Sequence, residues 1–336
     1  MPTSNFLLPE IKLLAPENWR EYALLDSGEG KTLERFGPYL LISPDPQAVW
    51  KKTLPSAEWQ KAHAVLREEN KEYGGSWQLL KPIEKTWEMH YQSLTFQLQL
   101  GTSRHIGVFP EQASHWDWIM ERIQAEKRPL RVLNLFGYSG LATLAAAKAG
   151  AEVTHVDSSK HALNWASYNL KLSGLADKPV RWIAEDALKF TQREARRGNK
   201  YEGLILDPPK FGRGSQGQVW DFFKKLPELV EACRAILSPK ASFIVFTTYA
   251  ISASALVALQ AVRDITSGKG KAECGELVSV EESAGHILSH ALYTRWTPEK
   301  QVSGLPKSKL LAGRSPTPGQ RGVRPYPRPQ SGNYPR

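Results

Sequence analysis

Apolar and polar positions along this 336-residue chain change their rhythm near residue 130. Before that point, the runs Thr32–Ile42, Trp77–Tyr91 and Leu94–Leu100 carry apolar residues at strand-like spacing, and Ala57–Glu72 reads as a polar helix. Residues 1–110 are therefore expected to form a small, β-rich N-terminal domain. From Leu130 onward short aliphatic runs alternate with amphipathic stretches. Strands are predicted at Arg131–Phe136, Glu152–Val156, Val180–Ile183, Gly203–Leu206, Ser242–Thr247, Glu276–Val280 and His290–Trp296. Helices are predicted at Leu141–Ala149, Lys160–Ser173, Trp220–Leu237 with a break at Pro227, and Ser252–Ile265. Such alternation predicts an α/β domain over residues 111–300, a seven-stranded, mainly parallel sheet covered by helices. The short Ser283-Ala284-Gly285 connection predicts that the last two strands form an antiparallel hairpin at the sheet edge. Residues 301–336, rich in Pro, Gly, Ser and Arg, cannot bury enough apolar surface to fold and are expected to be a disordered basic tail.

Charge refines this layout. Of the net charge of +10, seven units come from the basic residues of 305–336, where there is no acidic residue, leaving +3 for the rest. The tail suits weak, salt-dependent attraction to phosphates, and reads equally well as a solvated extension. No apolar run is long enough to span a membrane, and Met1–Glu10 has no secretory leader, so a cytoplasmic protein is expected. Cys233 and Cys274 lack the spacing of a zinc site or a disulfide framework, so no metal is expected. Trp50, Trp59, Trp77, Trp87, Trp116 and Trp118 cluster in or just after the first region, as core of a small sheet domain or as platforms for stacked bases.

Four segments carry chemistry, in order. In Asn134-Leu135-Phe136-Gly137-Tyr138-Ser139-Gly140, the glycines allow a sharp turn out of the strand, and the following helix offers free N–H groups to a carboxylate. The third position from Gly137 is Ser139 rather than glycine, which disfavours a nicotinamide dinucleotide. Asp157, seventeen residues after Gly140 at the end of the next strand, suits the two hydroxyls of a ribose, and Ser158 or Ser159 suits a helix cap. Glu185-Asp186 follows the third strand, a further acidic pair at a strand end. Asp207-Pro208-Pro209-Lys210-Phe211 follows the fourth, and its two prolines end sheet pairing and set a rigid turn expected to hold the Asp207 side chain and the Pro208 and Pro209 carbonyls toward the crevice. Recurrence at the carboxyl ends of successive strands marks the ligand crevice of an open α/β sheet.

From about Arg104 to Trp296 this constellation resembles the methyltransferase domain of bacterial 23S ribosomal RNA methyltransferases, the group containing cytosine-C5 and guanine-N7 enzymes. The resemblance implies a class I Rossmann-like methyltransferase that binds S-adenosylmethionine (SAM) through Phe136, Gly137, Gly140, Asp157, Ser158, Glu185, Asp186 and Asp207, with residues 107–112 and Gln112 in particular closing one side. It also implies RNA as partner, and Asp207, Pro208, Pro209, Lys210 and Phe211 as the acceptor-facing residues. Cytosine-C5 members carry a thiolate after the fifth strand, whereas this chain has Val245-Phe246-Thr247-Thr248-Tyr249-Ala250. Covalent C5 methylation is thus disfavoured, and non-covalent transfer to a base nitrogen is expected. A protein or small-molecule methyltransferase, an inactive RNA-binding or ribosome-assembly factor and a nicotinamide-dependent oxidoreductase stand as alternatives. The sequence leaves the oligomeric state open.

Overall fold

The computed structural model describes residues 9–299 apart from 71–73, 102–103, 214–216, 218 and 250, so the basic tail lies outside the described residues. The first region comprises β1 (Ile11–Leu14), β2 (Tyr22–Gly28), β3 (Lys31–Phe36), β4 (Tyr39–Pro44), a single turn α1 (Ser56–Trp59), β5 (Ala64–Asn70), β6 (Gly74–Leu79), β7 (Trp87–Tyr91) and β8 (Leu94–Leu98). Strands β2 to β6 form a five-stranded sheet in sequence order, and β7 with β8 forms a separate hairpin.

Three expectations change here. Thr32–Ile42 is two strands, because Gly37 turns the chain at φ 61°. Trp77–Tyr91 is likewise divided between β6 and β7, with Pro82, which has no N–H for a ladder, in the gap. The expected polar helix shrinks to α1, while Ala64, Val65 and Leu66 are buried in β5, paired with β4 and β6. Burial and ladder hydrogen bonds outweigh a weak local helix preference there.

The second region comprises α2 (Ala113–Ala125), β9 (Arg131–Leu135), α3 (Leu141–Lys148), β10 (Glu152–Asp157), α4 (Lys160–Leu172), β11 (Val180–Ala184), α5 (Ala187–Arg196), β12 (Gly203–Leu206), β13 (Phe211–Arg213), β14 (Val219–Asp221), α6 (Phe222–Ile236), β15 (Phe243–Tyr249), α7 (Ala255–Ile265), β16 (Lys271–Val280) and β17 (Ile287–Thr297). The main sheet runs β1-β16-β17-β15-β12-β9-β10-β11. All seven predicted strands are in it. Its central strands β9, β12 and β15 are almost wholly buried, as a parallel sheet covered on both faces requires. The eighth strand, β1, pairs in parallel with β16, so the β16–β17 hairpin is not the outer edge that its short connection suggested. Helix α6 continues through Pro227, near its start, because Leu226, Leu229, Val230, Cys233 and Ile236 hold one face in the core.

One hydrophobic cluster joins Trp19, Tyr22, Phe36 and Trp87 of the first region to Trp116, Val132 and Leu144 of the second. Trp59, Trp87 and Trp116 are therefore core residues, whereas Trp50, Trp77 and Trp118 are half-buried. Polar contacts add to this seam. Tyr22 Oη donates to Glu34 Oε1 at 3.0 Å and lies 3.2 Å from Ser279 Oγ, Ser27 Oγ donates to buried Glu281, and the Trp50 ring stacks on His286.

Candidate functional site

The loop after β9 is left-handed at Phe136 (φ 61°), Tyr138 (φ 47°) and Gly140 (φ 90°), so it leaves the strand abruptly and starts α3 at Leu141. Gly137 is set by what lies beneath it. A Cβ there would stand 2.3 Å from the His155 ring, so only glycine lets the loop descend onto β10. The His155 ring sits in a chain of polar contacts, Asn134 Nδ2 donating to Thr143 Oγ1 at 2.9 Å and Thr143 Oγ1 lying 2.9 Å from His155 Nδ1. Burial pushes the His155 pKa down to about 3, so the imidazole is a neutral support. No side chain caps the first turn of α3, and Leu141 and Ala142 line the adjoining cleft, which leaves helix-terminal N–H groups facing a space suited to a carboxylate.

Asp157, at the end of β10, is half-buried. Its Oδ2 accepts from the Tyr138 N–H at 3.0 Å and its Oδ1 from the Ser159 N–H at 2.8 Å. These bonds orient the carboxylate beside the loop. Burial raises its pKa, against the lowering effect of both N–H donors. Ser159, not Ser158, caps α4 through a bond from the Ala162 N–H. Glu185 is paired with Arg193, and Asp186 caps α5 by accepting from the Lys189 N–H at 2.9 Å.

Asp207 ends β12. Gln112 Nε2 donates to its Oδ2 at 3.1 Å, and burial, reinforced by the nearby Glu111 charge, lifts the Asp207 pKa to about 8. Pro208 is buried, while Pro209, Lys210 and Phe211 are exposed. The Pro209 carbonyl does not point into the crevice as the double-proline turn suggested. It accepts from the Trp220 indole N–H at 2.6 Å, because a carbonyl outside the sheet needs a donor and β14 supplies one. The Lys210 carbonyl accepts from the Phe222 N–H at 3.0 Å, so the turn is tied down at two points.

The sheet order, the loop and the strand-end carboxylates reproduce a known architecture. The model of the S-adenosylmethionine-dependent methyltransferase family matches residues 47–255. The chain belongs to this family. A crystal structure of the SAM-dependent methyltransferase from Agrobacterium tumefaciens is 43% identical, with a TM-score of 0.82 over 86% of this chain and 94% of that one. Ribosomal RNA large subunit methyltransferase K/L of Pseudomonas aeruginosa is 38% identical over 120 residues, and that of Shewanella frigidimarina 35% over 115. Those matches span about a third of this chain and 16% of the relatives' length. The structure of SMU.776 complexed with SAH shares the fold at 18% identity and a TM-score of 0.57 over 80% of this chain and 72% of that one.

In this SAM-dependent methyltransferase, Phe136, Gly137, Gln112 and Asp207 line one cleft, with Asp157 tied to the Tyr138 backbone at its side. Gly140, Ser158, Glu185 and Asp186 are not among the cleft-lining residues. Asn134, Tyr138 and Phe109 are; they lie in the 134–140 and 107–112 segments marked in the sequence, though they are not singled out there as individual site residues. Phe109 packs against Tyr138 and Tyr249, and the Tyr249 hydroxyl donates to Glu111 at 2.8 Å. The aromatic residues 105 and 109 beside Gly107 were the available signal. Both thiols are buried, and burial raises Cys233 to about 12 and also pushes Cys274 up. Among the described residues no helix is long and apolar enough to cross a membrane.

Proposed function

We propose that this enzyme methylates ribosomal RNA by direct transfer from SAM to a base nitrogen. The observation that carries the reading is the pairing of Asp207 with Gln112 in a cleft where no thiol is available for covalent attack at a base carbon. The bound donor supplies a methyl group already activated on sulfonium. The chain supplies alignment and a proton acceptor. As the new C–N bond forms and the S–C bond breaks, the acceptor nitrogen sheds its positive charge by giving up a proton. With a pKa of about 8, the Asp207 carboxylate is matched to take or hold that proton near neutral pH.

The donor would lie with its ribose on Asp157, its carboxylate at the start of α3 and its reactive end between Phe136, Gln112 and Asp207. Gly137, Gly140 and Ser158 would flank it, and Asp186, whose Oδ1 caps α5, would offer Oδ2 to the adenine amine beside Glu185. RNA is supported by the names of the K/L relatives and by exposed Phe211 and Lys210 after the double proline, an aromatic face and a cation suited to a base and a phosphate. Mass spectrometry of ribosomal RNA from wild-type cells and cells lacking the gene should show one methyl group lost. An unchanged modification profile removes RNA from the reading.

A further inference from the structure

A second cavity, of about 300 Å³, lies under the small sheet and next to the donor cleft, with Phe109 lining both. Its walls come from β3 and β4 (Glu34, Phe36, Asp45 just beyond), from the segment holding Arg104 and Glu111, and from Tyr249 and His290 on the main sheet. Tyr249 ends β15, the strand beside β12, so the cavity opens at the same carboxyl end of the sheet as Asp207. Three carboxylates line it while being almost wholly buried: Glu34 at 6% exposure, Asp45 at 2% and Glu111 at 5%. Glu34 is satisfied by Tyr22 and Thr32, and Glu111 accepts from Tyr249. Asp45 differs. Its Oδ1 accepts from the Gln47 N–H, but its buried Oδ2 has no hydrogen bond and only a 3.7 Å ion pair to Arg104. A buried carboxylate oxygen left so costs free energy unless a guest donates to it.

We propose that this cavity is the acceptor pocket: a base turned out of the RNA strand enters it and is selected by Asp45 through an amine on its edge. The inference rests on the RNA reading above and names residues of the small sheet as its specificity determinants. Phe36, Phe109 and Tyr249 supply apolar faces for a planar ring, and Arg104 beside Asp45 supplies donors next to an acceptor, the mixed pattern that reads a base edge. Because Arg104 already places a cation at Asp45, a neutral amine fits better than a second cation such as a protein lysine or arginine side chain. Asp207 stands close enough to Glu111 and Tyr249 of the cavity wall to interact with both, which puts it beside the acceptor nitrogen of a base lodged there.

The test uses the full chain, labelled SAM and ribosomal RNA purified from cells lacking the gene. Asp45→Asn keeps the volume and removes the charge. It should raise KM for RNA about 10- to 100-fold, in line with the ~1–3 kcal/mol of a base-edge contact, while SAM affinity by calorimetry and Tm stay at wild-type values. Guanosine, adenosine and cytidine should compete with RNA for the wild type better than uridine does, and D45N should lose that preference. Asp45→Glu should recover part of it. Wild-type KM and an unaltered competition pattern in D45N, with RNA still methylated, would overturn the pocket and leave the RNA reading intact. A loss of activity that follows Tm with the competition pattern unaltered would overturn it too. RNA left unlabelled, with ribosomal protein labelled when whole ribosomal subunits from the same cells are supplied in its place, would remove both.

Discussion

The donor cleft takes most of its lining from one stretch, Asn134 to Ala142, with Phe109, Gln112 and Trp116 on one side and Ile205, Asp207 and Thr247 from neighbouring strands. The adjoining cavity has walls from residues 34–47, 77, 104–111, 249 and 289–290. In the cleft the backbone does much of the work, through left-handed loop residues, an uncapped helix start and N–H groups that orient Asp157. In the cavity, buried side chains do it. A site made of backbone is fixed by its own local sequence, and one made of distant side chains is free to change with the sheet that carries them.

The largest effect should come from Asp207, which faces the cleft but is tuned by Glu111 of the cavity. Asp207→Asn should lower kcat by about 10²–10⁴-fold with little change in SAM affinity. The wild-type rate should climb as pH rises through about 8 and the variant's should be flat. A flat wild-type profile would take the proton from Asp207. Stability follows the same group with opposite sign. The native carboxyl keeps its proton to about pH 8 while the unfolded one loses it near 4, so this group's contribution worsens as pH rises from about 4 to 8 and is constant beyond. The Tm of D207N should therefore exceed that of wild type by a margin that opens over this window and vanishes below it, as scanning calorimetry would read.

Asp157→Ala should weaken SAM binding by about 10²–10³-fold, the loss of two hydrogen bonds to a charged acceptor, and leave RNA affinity unchanged. Equal losses in both would mean that cleft and cavity are one site. Gly137→Ala should cost about 1–3 kcal/mol of stability through overpacking on His155, read by denaturant unfolding. Combined with His155→Ala it should recover most of that loss, and a purely additive pair would deny the contact. Phe211→Ala should weaken RNA binding by ~1–3 kcal/mol without touching SAM affinity. Smallest is Lys210→Ala. It should weaken RNA binding a few-fold and reduce its salt dependence by about one phosphate contact.

Much of the donor side is legible in the order of residues. Gly203–Leu206 is bounded as the residue pattern predicts, and the Asn134–Gly140 loop, Asp157 and Asp207 stand at strand ends as their spacing requires. Each lies within a strand-turn-helix unit whose periodicity and turn chemistry are local. Helix α5 goes unpredicted, although Asp186 is a cap residue at its start and Ala187, Leu188 and Phe190 bury one face of it, because Glu185-Asp186 reads as a ligand contact and not as a helix start. The β5 strand is not legible either, because its residues favour a polar helix alone and become a strand only between β4 and β6. Nor is the Pro209 carbonyl, whose direction depends on Trp220 eleven residues later.

By itself, then, the sequence determined the alternating sheet, the glycine turn, the order of carboxylates and the lack of a thiol in the strand-end position, all carried by residues close in the chain. Tertiary structure decided the rest. It brought β1 to the outer edge, set His155 under Gly137, and sealed Asp45, Glu111 and Tyr249 around one space although they lie up to about two hundred residues apart. Burial is a property of the folded core and not of any segment. For that reason the pKa of Asp207 and the missing hydrogen bond of Asp45 could be known only from the fold.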